Sequence, residues 1–480
     1  MSVIKNYIYN IMYQILILII PLITVPYVSR VLGADGVGIN SYTNSIVQYF
    51  ILFGMLGIGL YGNRTIATVR EDKEKLSKTF WSIYTLQIIT CSISIVAYLL
   101  FIFIFFKKYL VVAVIQSLNI VAAAVDLSWF FMGLEQFKKT VTRNSVVKII
   151  SVIFIFLLIK DKNDIILYVL ILSISNLMGN LIMWGYLKNI INLDAIKEVK
   201  LKNIVKHLNN TVILFIPQIA TQIYTVLDKT MIGIFANTTE VGIYENSEKI
   251  VKITLAVVTS LGTVMLPRMA NMFSKGEKEK INEYIDKSIK FVSFVAIPIM
   301  FGIATISKEF VPWFFGEDFS KSSIIIPIIS PIILFIAWSN VLGIQYMIPI
   351  GKNKEFTFSV TIGAIVNFVL NIFLIKHFES IGAAISTVIA EVTVTIVQIY
   401  ILRKDINISS YFEIIKCFIA GAIMAVGVRL VGYFLGIGVI TTLIQIFIGS
   451  IVYFVLMILL KSSIINNIIQ YNKNKKMFLK

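Results

Sequence analysis

Long apolar runs alternate along the chain with short segments rich in charged residues, Gly, Asn and Ser. Crossing the hydrocarbon core of a bilayer takes about 20 helical residues, and many of the runs approach or reach that length. Taking each apolar run bounded by polar residues as one span predicts fourteen membrane helices. The predicted spans lie near residues 7–32, 37–62, 79–106, 109–133, 146–159, 165–187, 208–235, 244–272, 288–306, 321–348, 356–376, 381–401, 412–434 and 439–460. The pattern therefore predicts an all-α integral membrane protein.

The first and fifth apolar runs differ from the others in proline content and in length. The first contains Pro21 and Pro26, is longer than the apolar region of a signal peptide and lacks a small-residue cleavage site, so we expect it to remain as the first helix. The fifth run is the shortest and is interrupted by Lys148. Its helix is therefore expected to begin nearer Thr142.

Composition removes the soluble alternatives. Charged residues make up 14% of the chain, against about 25% in soluble domains, and hydrophobic residues make up 58%. The net charge of +17 would suit nucleic-acid binding only if it were clustered on a soluble face, whereas here it is scattered between apolar runs. We therefore predict no nucleic-acid partner.

The positions of Lys and Arg predict the orientation. If both termini are cytoplasmic, most of these residues fall in cytoplasmic segments, where membrane proteins carry an excess of Lys and Arg. The basic inner segments are Arg64 to Lys78, Lys138 to Lys148, Lys188 to Lys206, Arg268 to Lys290 and the tail from Lys461 to Lys480. Topogenic charge and attraction to anionic headgroups explain most of these residues, and we assign them no catalytic role. We therefore expect both termini to be cytoplasmic.

Short repeated motifs predict the domain organisation. Asp-Gly-Val-Gly-Ile at 35–39 and Glu-Val-Gly-Ile at 240–243 connect spans one to two and seven to eight. Leu-Ile-Lys ends span five at 158–160 and span eleven at 374–376. Both pairs relate span n to span n+6, as in parallel repeats. We predict an N-lobe at 1–206, a C-lobe at 207–405, two added helices at 406–460 and a cytoplasmic basic tail at 461–480.

Several kinds of chemistry lack a sequence signal. The chain has no phosphate-binding Gly-x-x-x-x-Gly-Lys-Ser/Thr loop and no soluble region of ATPase size. Its two cysteines, Cys91 and Cys417, both fall in predicted spans, so neither a disulfide framework nor a thiolate metal site is indicated. His207 and His377 are too far apart to form a motif. We predict a protein that is not an enzyme and that holds no cofactor or metal.

Basic residues inside spans are costly and tend to face a cavity or a partner. Span eight begins with Glu245, Glu248, Lys249 and Lys252, whose i,i+4 spacing allows either two self-neutralised pairs or an amine-lined wall for an anionic headgroup. Arg30 and Lys148 are the stronger candidates elsewhere. Arg64 and Arg429 stand near span ends, where arginines often reach out to headgroups. The predicted cationic cavity comprises Arg30, Lys148, Lys249, Lys252 and Arg64.

Three embedded acids are candidates for coupling to H⁺ or Na⁺. Glu391 lies midway along span twelve with no cation within four positions, and Asp126 lies in span four. Asp228 and Lys229 in span seven point about 100° apart on a helix, so one of them is expected to face the lobe interface. A hydrogen bond from a neutral Glu391 in helix packing is the alternative.

Prolines within spans remove a backbone donor and bend the helix. Pro21 and Pro26 in span one and Pro217 in span seven occupy spans that the repeat makes equivalent. We predict these three as hinges, although prolines are also simply frequent in membrane helices.

Several motifs resemble bacterial polysaccharide repeat-unit flippases of the Wzx type. They include Pro21 to Gly33, Gly36 to Ile39, Gly57 to Gly62, Trp129 to Phe137 and Leu266-Pro267-Arg268. The similarity runs through most of the chain and is strongest in its first sixty residues. The C-terminal spans match in pattern more than in motif.

The resemblance implies a superfamily that also contains multidrug exporters and lipid II flippases. Its members have two six-helix lobes around a central cavity and work by alternating access. By similarity, Lys249 falls where lipid II flippases present a cavity arginine, and Arg30 falls near another. Lysine at 249 keeps the charge but loses bidentate phosphate geometry. The implied partners are a polyprenyl-diphosphate-linked oligosaccharide, membrane lipid and a polysaccharide polymerase.

Two other functions are alternatives to the flippase. A cation-coupled multidrug exporter of the same superfamily would favour acids in the N-lobe, whereas the embedded excess here is basic once Arg30 and Lys148 are counted. A membrane glycosyl polymerase or ligase would need a large outer loop, and the longest outer segment is about Ser307 to Ser320. The sequence therefore favours the flippase.

Overall fold

The computed structural model describes residues 2–188, 190–275, 277–406 and 411–466, where the chain forms helices joined by short turns. The helices are α1 Ser2–Met55, α2 Ile58–Val69, α3 Lys73–Phe105, α4 Leu110–Ala124, α5 Ser128–Gly133, α6 Phe137–Leu158, α7 Ile165–Trp184, α8 Leu201–Phe235, α9 Thr238–Ser274, α10 Lys278–Phe314, α11 Ser322–Ile329, α12 Ile332–Ser339, a π-helix at Asn340–Met347, α13 Asn353–Leu402, α14 Tyr411–Leu435 and α15 Val439–Leu459. The predicted all-α membrane fold is confirmed.

Ten of the described helical segments are long and apolar enough to cross a membrane. Two of them, Leu18–Val69 and Asn353–Leu402, have 52 and 50 residues, and each contains a break where the backbone leaves helical angles. The breaks lie at Gly33 (φ 69°) and Glu379 (φ 52°), between spans one and two and between spans eleven and twelve. Some side chains of α8 and α9 lie outside the described part of the chain, so the total of fourteen spans stays a prediction.

Three predicted spans are not single helices. Span two is divided at Leu56 and Gly57, both at positive φ, so that α2 begins as a new helix. Span four is divided between α4 and α5, and span ten consists of α11, α12 and the π-helix. The segments Lys107–Gly133 and Ser322–Met347, which correspond to spans four and ten, are each still long and apolar enough to cross a membrane. Hydropathy averaged over a whole span does not reveal the interruptions inside it.

The segment from Lys138 to Lys148 also differs from its prediction. It was expected as a basic inner loop, but α6 begins at Phe137 and includes the whole segment. Span five is correspondingly longer than its apolar core of 146–159. Hydropathy alone places a loop here, but in the structure Arg143 is buried and donates to Asn180 and to the Gly179 carbonyl of α7.

The chain divides into two compact units, Met1–Gly242 and Ile243–Lys480. The first contains α1 to α8 and the beginning of α9, and the second contains the rest of α9 and α10 to α15. The lobe boundaries predicted from the repeat, at 206 and 405, stay a prediction. Of the predicted tail at 461–480, residues 467–480 lie outside the described residues.

The motifs that carry the family resemblance form much of the core of the first unit. A Cβ on Gly62 of α2 would lie 2.5 Å from Cε3 of Trp129, so the indole of α5 packs directly against the α2 backbone. Trp129 Nε1 donates to Gln87 Oε1 at 2.8 Å, and Phe80 and Phe130 complete the buried cluster. These blocks therefore hold α2, α3 and α5 together.

Glycines of the repeated motif bring α1 and the beginning of α9 into backbone contact. A Cβ on Gly38 would lie 1.6 Å from the carbonyl oxygen of Thr238, and one on Gly242 would lie 2.0 Å from that of Ala34. The Thr238 hydroxyl donates to Asp35 Oδ1 at 2.5 Å beside the same crossing. The motif recurs at 35–39 and 240–243, and its two copies meet in the first unit.

In the second unit, α14 and α15 pack on α10. Tyr453 donates its hydroxyl to the Phe294 carbonyl at 2.9 Å, and Trp313 Nε1 donates to the Thr442 hydroxyl at 2.9 Å. The outer faces of these helices expose large apolar side chains such as Phe434 and Phe447. Such continuous apolar surface is what lipid contact requires.

Candidate functional site

The three cations predicted in the first unit lie on three different helices. Arg30 is exposed on α1, three residues before the break at Gly33, and Lys148 is half-buried on α6. Arg64 is exposed on α2 and lines a cavity of about 400 Å³ together with residues of α2 and α8. That cavity is walled by Tyr61, Thr65, Thr68, Asn210, Ile213 and Leu214. Arg64 is therefore the member of this set that faces a defined hollow within the unit.

The two cations predicted on α9 form ion pairs with acids of their own helix. Lys249 Nζ lies 3.0 Å from Glu245, and Lys252 Nζ lies 2.7 Å from Glu248. The self-neutralised arrangement that the spacing allowed is thus present. Both lysine side chains keep exposure, 35% and 45%, whereas the glutamates are much more buried. An anionic ligand at these amines would have to share them with the glutamates.

The candidate coupling acids occupy three different environments. Glu391 is buried on α13, where the Thr395 hydroxyl donates to the Glu391 carbonyl. Asp228 is buried on α8, two residues from Thr230, whose hydroxyl donates to Ser45 Oγ at 2.9 Å and accepts from Tyr49. These two acids are enclosed by packed helices of their respective units.

Asp126 lies at the break between α4 and α5 and not within a continuous span. Its Oδ1 accepts from the backbone N–H of Ser128 at 2.9 Å and from the Ser128 hydroxyl at 2.6 Å, just before α5 begins. The apolar run of span four does not reveal this break. These two hydrogen bonds fix the turn that leads into α5.

Arg143 is a buried cation that the sequence analysis missed. It is 8% exposed on α6, and its Nη1 donates to Asn180 Oδ1 at 2.9 Å and to the Gly179 carbonyl at 3.2 Å. Its Nε donates to Asn144 Oδ1 at 2.8 Å. The signal was available in principle, since Asn180 is a polar residue inside an apolar span, but nothing in the local sequence of α6 separates Arg143 from its exposed neighbours.

Amide side chains continue this polar region along α4. Asn176 of α7 donates to Asn119 Oδ1 at 3.1 Å, and Asn119 donates to Gln116 Oε1 at 2.8 Å. Gln116 in turn donates to Asn40 Oδ1 of α1 at 3.3 Å. Hydrogen bonds between amides join α1, α4 and α7 inside the unit, where unsatisfied polar groups would be costly.

The predicted hinges lie in helical backbone. Pro21 and Pro26 are both inside α1, and the backbone leaves helical angles farther along, at Gly33. Pro217 falls in α8, and its side chain lies outside the described residues. A glycine with φ of 69° tolerates this turn at no steric cost. Any bending of α1 therefore has a second candidate position, at Gly33.

Among the residues that the structure describes, no group of three or more His, Cys, Asp or Glu side chains lies close enough together to hold a metal ion. Cys91 and Cys417 are free and buried, on α3 and α14. Neither thiol lies beside a second one.

Comparison with known families and proteins identifies the class. The family model described as "Polysaccharide biosynthesis protein" matches residues 3–273, and a second model, MatE, matches residues 214–375. Because the first match covers more than half of the chain, the chain belongs to the polysaccharide biosynthesis protein family. It is a multi-pass membrane protein of that family.

Curated relatives extend the similarity beyond the matched family segment. A protein of Escherichia coli strain K12 named "Putative O-antigen transporter" is 25% identical over 415 residues, which covers 84% of this chain and 98% of that relative. A protein of Haloferax volcanii named "Probable low-salt glycan biosynthesis flippase Agl15" is 28% identical over 263 residues, covering 53% of each chain.

Solved structures place the fold. The inward closed conformation of a lipid II flippase, MurJ, superposes with a TM-score of 0.75 at 18% identity, covering 96% of this chain and all of that one. The inward-facing conformation of a multidrug resistance MATE family transporter superposes with a TM-score of 0.56 at 10% identity, covering 85% and 98%. The chain has the fold of these transporters.

Proposed function

We propose that this protein is a flippase that moves polyprenyl-diphosphate-linked oligosaccharide repeat units from the inner to the outer leaflet of a bacterial cytoplasmic membrane. It would act by alternating access, as a transporter and not an enzyme, and supply cell-surface polysaccharide synthesis. The observation that carries the proposal is family membership over residues 3–273 combined with the lipid II flippase fold across 96% of the chain. The relatives named as an O-antigen transporter and a glycan flippase support the same substrate class.

The substrate's chemistry sets three requirements. Its diphosphate needs cations, its glycan needs a wet cavity, and its polyprenyl tail needs a lateral opening to lipid, because the polar headgroup cannot cross hydrocarbon unaided. Arg30, Lys148 and Arg64 would supply cations from the N-lobe, and Lys249 and Lys252 from the C-lobe. Both C-lobe amines are paired to glutamates, so a diphosphate that binds there would share them with these carboxylates.

Membrane potential would assist the step. If two phosphate charges move outward across an inside-negative potential, each gains about 2.3 kcal/mol per 100 mV, so roughly 4–5 kcal/mol is available without a coupled ion. Protonation or Na⁺ binding at an embedded acid would then reset the empty carrier. Glu391 and Asp228 suit this role better than Asp126, whose carboxylate accepts hydrogen bonds from Ser128 in the turn before α5.

The remaining features follow from the same mechanism. Pro21, Pro26 and Pro217 would absorb bending as the carrier changes conformation, with Gly33 as a further pivot in α1. We propose that both termini are cytoplasmic, as the basic inner segments indicate. A polysaccharide polymerase on the outer side is the expected recipient of the translocated repeat units.

A cation-coupled multidrug exporter is the second candidate. The MatE match over residues 214–375 and the TM-score of 0.56 to a multidrug transporter favour it. Such an exporter binds cationic drugs and would therefore need acidic side chains that face the substrate. In this chain the exposed charges named above are basic, and the acids Glu391 and Asp228 are buried.

The decisive experiment changes Arg30, Lys148 and Lys249 singly to Ala in cells that depend on this protein for surface glycan. We expect each stably inserted variant to lower surface glycan. Lys354→Ala, an exposed cation at the start of α13, is the matched control. Wild-type glycan in all three variants would discard the cationic-cavity mechanism.

Reconstituted vesicles test the role of the potential. Translocation of a lipid-linked oligosaccharide should slow when the potential is clamped to zero, and unchanged rates would remove that part of the proposal. Export of cationic dyes by the same vesicles, without oligosaccharide translocation, would favour the exporter.

A further inference from the structure

A further cavity lies in the C-terminal half, where α10, α11 and α14 line it. Its volume is about 710 Å³. Its wall is largely apolar, from residues such as Ile324, Pro327, Val426 and Leu430, and two cations, Lys308 and Arg429, line it as well. An apolar hollow with cations suits an amphipathic anion.

The two cations keep hydrogen-bond donors available. Lys308 is exposed on α10, and no described carboxylate lies within 4 Å of its ammonium. Arg429 on α14 is 45% exposed, and one of its five N–H donors is used, by Nη1 to Glu309 Oε1 at 3.0 Å. The other donors of both side chains can reach an acceptor that enters the cavity.

Glu309 sets both the position of Arg429 and the charge of the site. Its carboxylate is 6% exposed and also accepts from Gln445 Nε2 of α15 at 3.2 Å. A Cβ on Gly432 would lie 2.6 Å from Cδ of Glu309, so a glycine is needed for this close packing. Lys308 and Arg429 against Glu309 leave one net positive charge. That charge matches a phosphodiester, which carries one negative charge, better than a diphosphate.

Both cations lie near the ends of their helices. Lys308 and Arg429 each lie six residues before the end of their helix, at Phe314 and Leu435, which is about 9 Å along the axis. Long Lys and Arg side chains at such positions extend to the headgroup level of a bilayer. Ser323, near the beginning of α11, lines the same end of the cavity.

We propose that this cavity binds an anionic phospholipid, with the phosphodiester on Lys308 and Arg429 and an acyl chain along Ile324, Val426 and Leu430. The proposal does not depend on the proposed function. The bound lipid would lie between α10, α11 and α14 and would anchor the C-terminal helix pair to the rest of its unit.

Native mass spectrometry of the full-length protein in mild detergent tests the site. We expect one phosphatidylglycerol molecule to be retained per chain, in preference to zwitterionic phosphatidylethanolamine. Lys308→Ala should weaken retention by about tenfold, because a charge-assisted hydrogen bond is lost, and Lys308→Arg should restore it. Ala425→Phe should also reduce retention by filling the acyl groove, whereas the exposed cation variant Lys354→Ala should not.

Four outcomes would overturn the proposal. Equal retention by Lys308→Ala and wild-type protein would show that the ammonium does not bind the lipid. Equal retention of phosphatidylethanolamine would show a site indifferent to charge. Displacement by glycerol phosphate would show that the headgroup alone binds, and preferential displacement by a polyprenyl diphosphate would assign the cavity to the substrate. Thermal unfolding of each variant confirms that the measured protein is folded.

Discussion

The crossing of α1 with the beginning of α9 offers the sharpest test of the packing. Gly38→Ala would place a Cβ 1.6 Å from the Thr238 carbonyl oxygen and 2.9 Å from the Gly242 nitrogen. Because Cβ contacts shorter than 3.0 Å essentially do not occur, the two segments must separate by at least 1.4 Å, the difference between 3.0 and 1.6 Å. The obstacle is backbone on both sides, so no side chain can rotate to relieve it.

The expected cost combines two effects. Overpacking costs about 1–3 kcal/mol where neighbours can adjust, and the separation also breaks the hydrogen bond from Thr238 to Asp35 at 2.5 Å, which is worth about 1.5–3 kcal/mol for a charged acceptor. The higher helix propensity of Ala than of Gly stabilises the folded state by only about 0.5–1 kcal/mol. We therefore expect a net loss of about 3 kcal/mol in the free energy of unfolding. For a unit of this size the Tm should fall by roughly 6–12 °C.

Thermal unfolding of the purified protein in detergent measures the effect, with Gly59→Ala as the matched control. Gly59 lies on α2, where an added Cβ meets nothing within 4 Å, so its substitution should leave Tm unchanged or raise it slightly. Gly242→Ala, with its Cβ 2.0 Å from the Ala34 carbonyl, should behave like Gly38→Ala. If Gly38→Ala and Gly59→Ala unfold at the same temperature, the close crossing does not exist.

Three further predictions concern other parts of the chain. Arg143→Met should lower the free energy of unfolding by about 3 kcal/mol or more, because Asn180, Gly179 and Asn144 lose a buried donor. Arg403, whose exposed guanidinium stacks on Tyr400, provides the control. Arg403→Met should cost less than about 1 kcal/mol in the same thermal unfolding measurement. Gly432→Ala should lower the free energy of unfolding by about 1–3 kcal/mol, because the added Cβ pushes Glu309 and Gln445 aside. Gly427→Ala on the same helix has open space at its Cβ and should not lower it. Equal Tm values for the two variants would contradict the packing of Glu309 on Gly432. Backbone hydrogen bonds from Lys75 and Glu74 at the start of α3 hold the pKa of Asp72 below its ordinary value of 3.8, so its contribution to stability is present above that value and is lost as the pH falls through the lowered pKa. Asp72→Asn should keep the cap but flatten this acid dependence of Tm, whereas Asp72→Ala should lose both, and an unchanged pH profile in Asp72→Asn would refute the assignment.

The exposed and buried charges differ in how far the sequence could predict them. Glu245, Glu248, Lys249 and Lys252 lie four apart on one helix, so their pairing was among the alternatives that spacing alone allowed. Arg429 was interpreted as reaching to headgroups, and it does keep exposure, but its pairing with Glu309, 120 residues away, was not predictable. Arg143 was taken as part of a basic loop and proved to be buried. Its partners Gly179 and Asn180 follow 36 and 37 residues later.

The sequence by itself determined the membrane class, the all-α fold and the approximate positions of the spans. Each depends on hydrophobicity summed over about 20 neighbouring residues, which is a local property. It also placed the connection between spans one and two after residue 32, where Gly33 takes a positive φ that glycine tolerates. Tertiary structure alone decided which apolar runs break within a span, which cations are buried and which glycines touch a second helix. Those outcomes depend on atoms brought together from distant parts of the chain, as when Gly38 meets Thr238 and Arg143 meets Asn180.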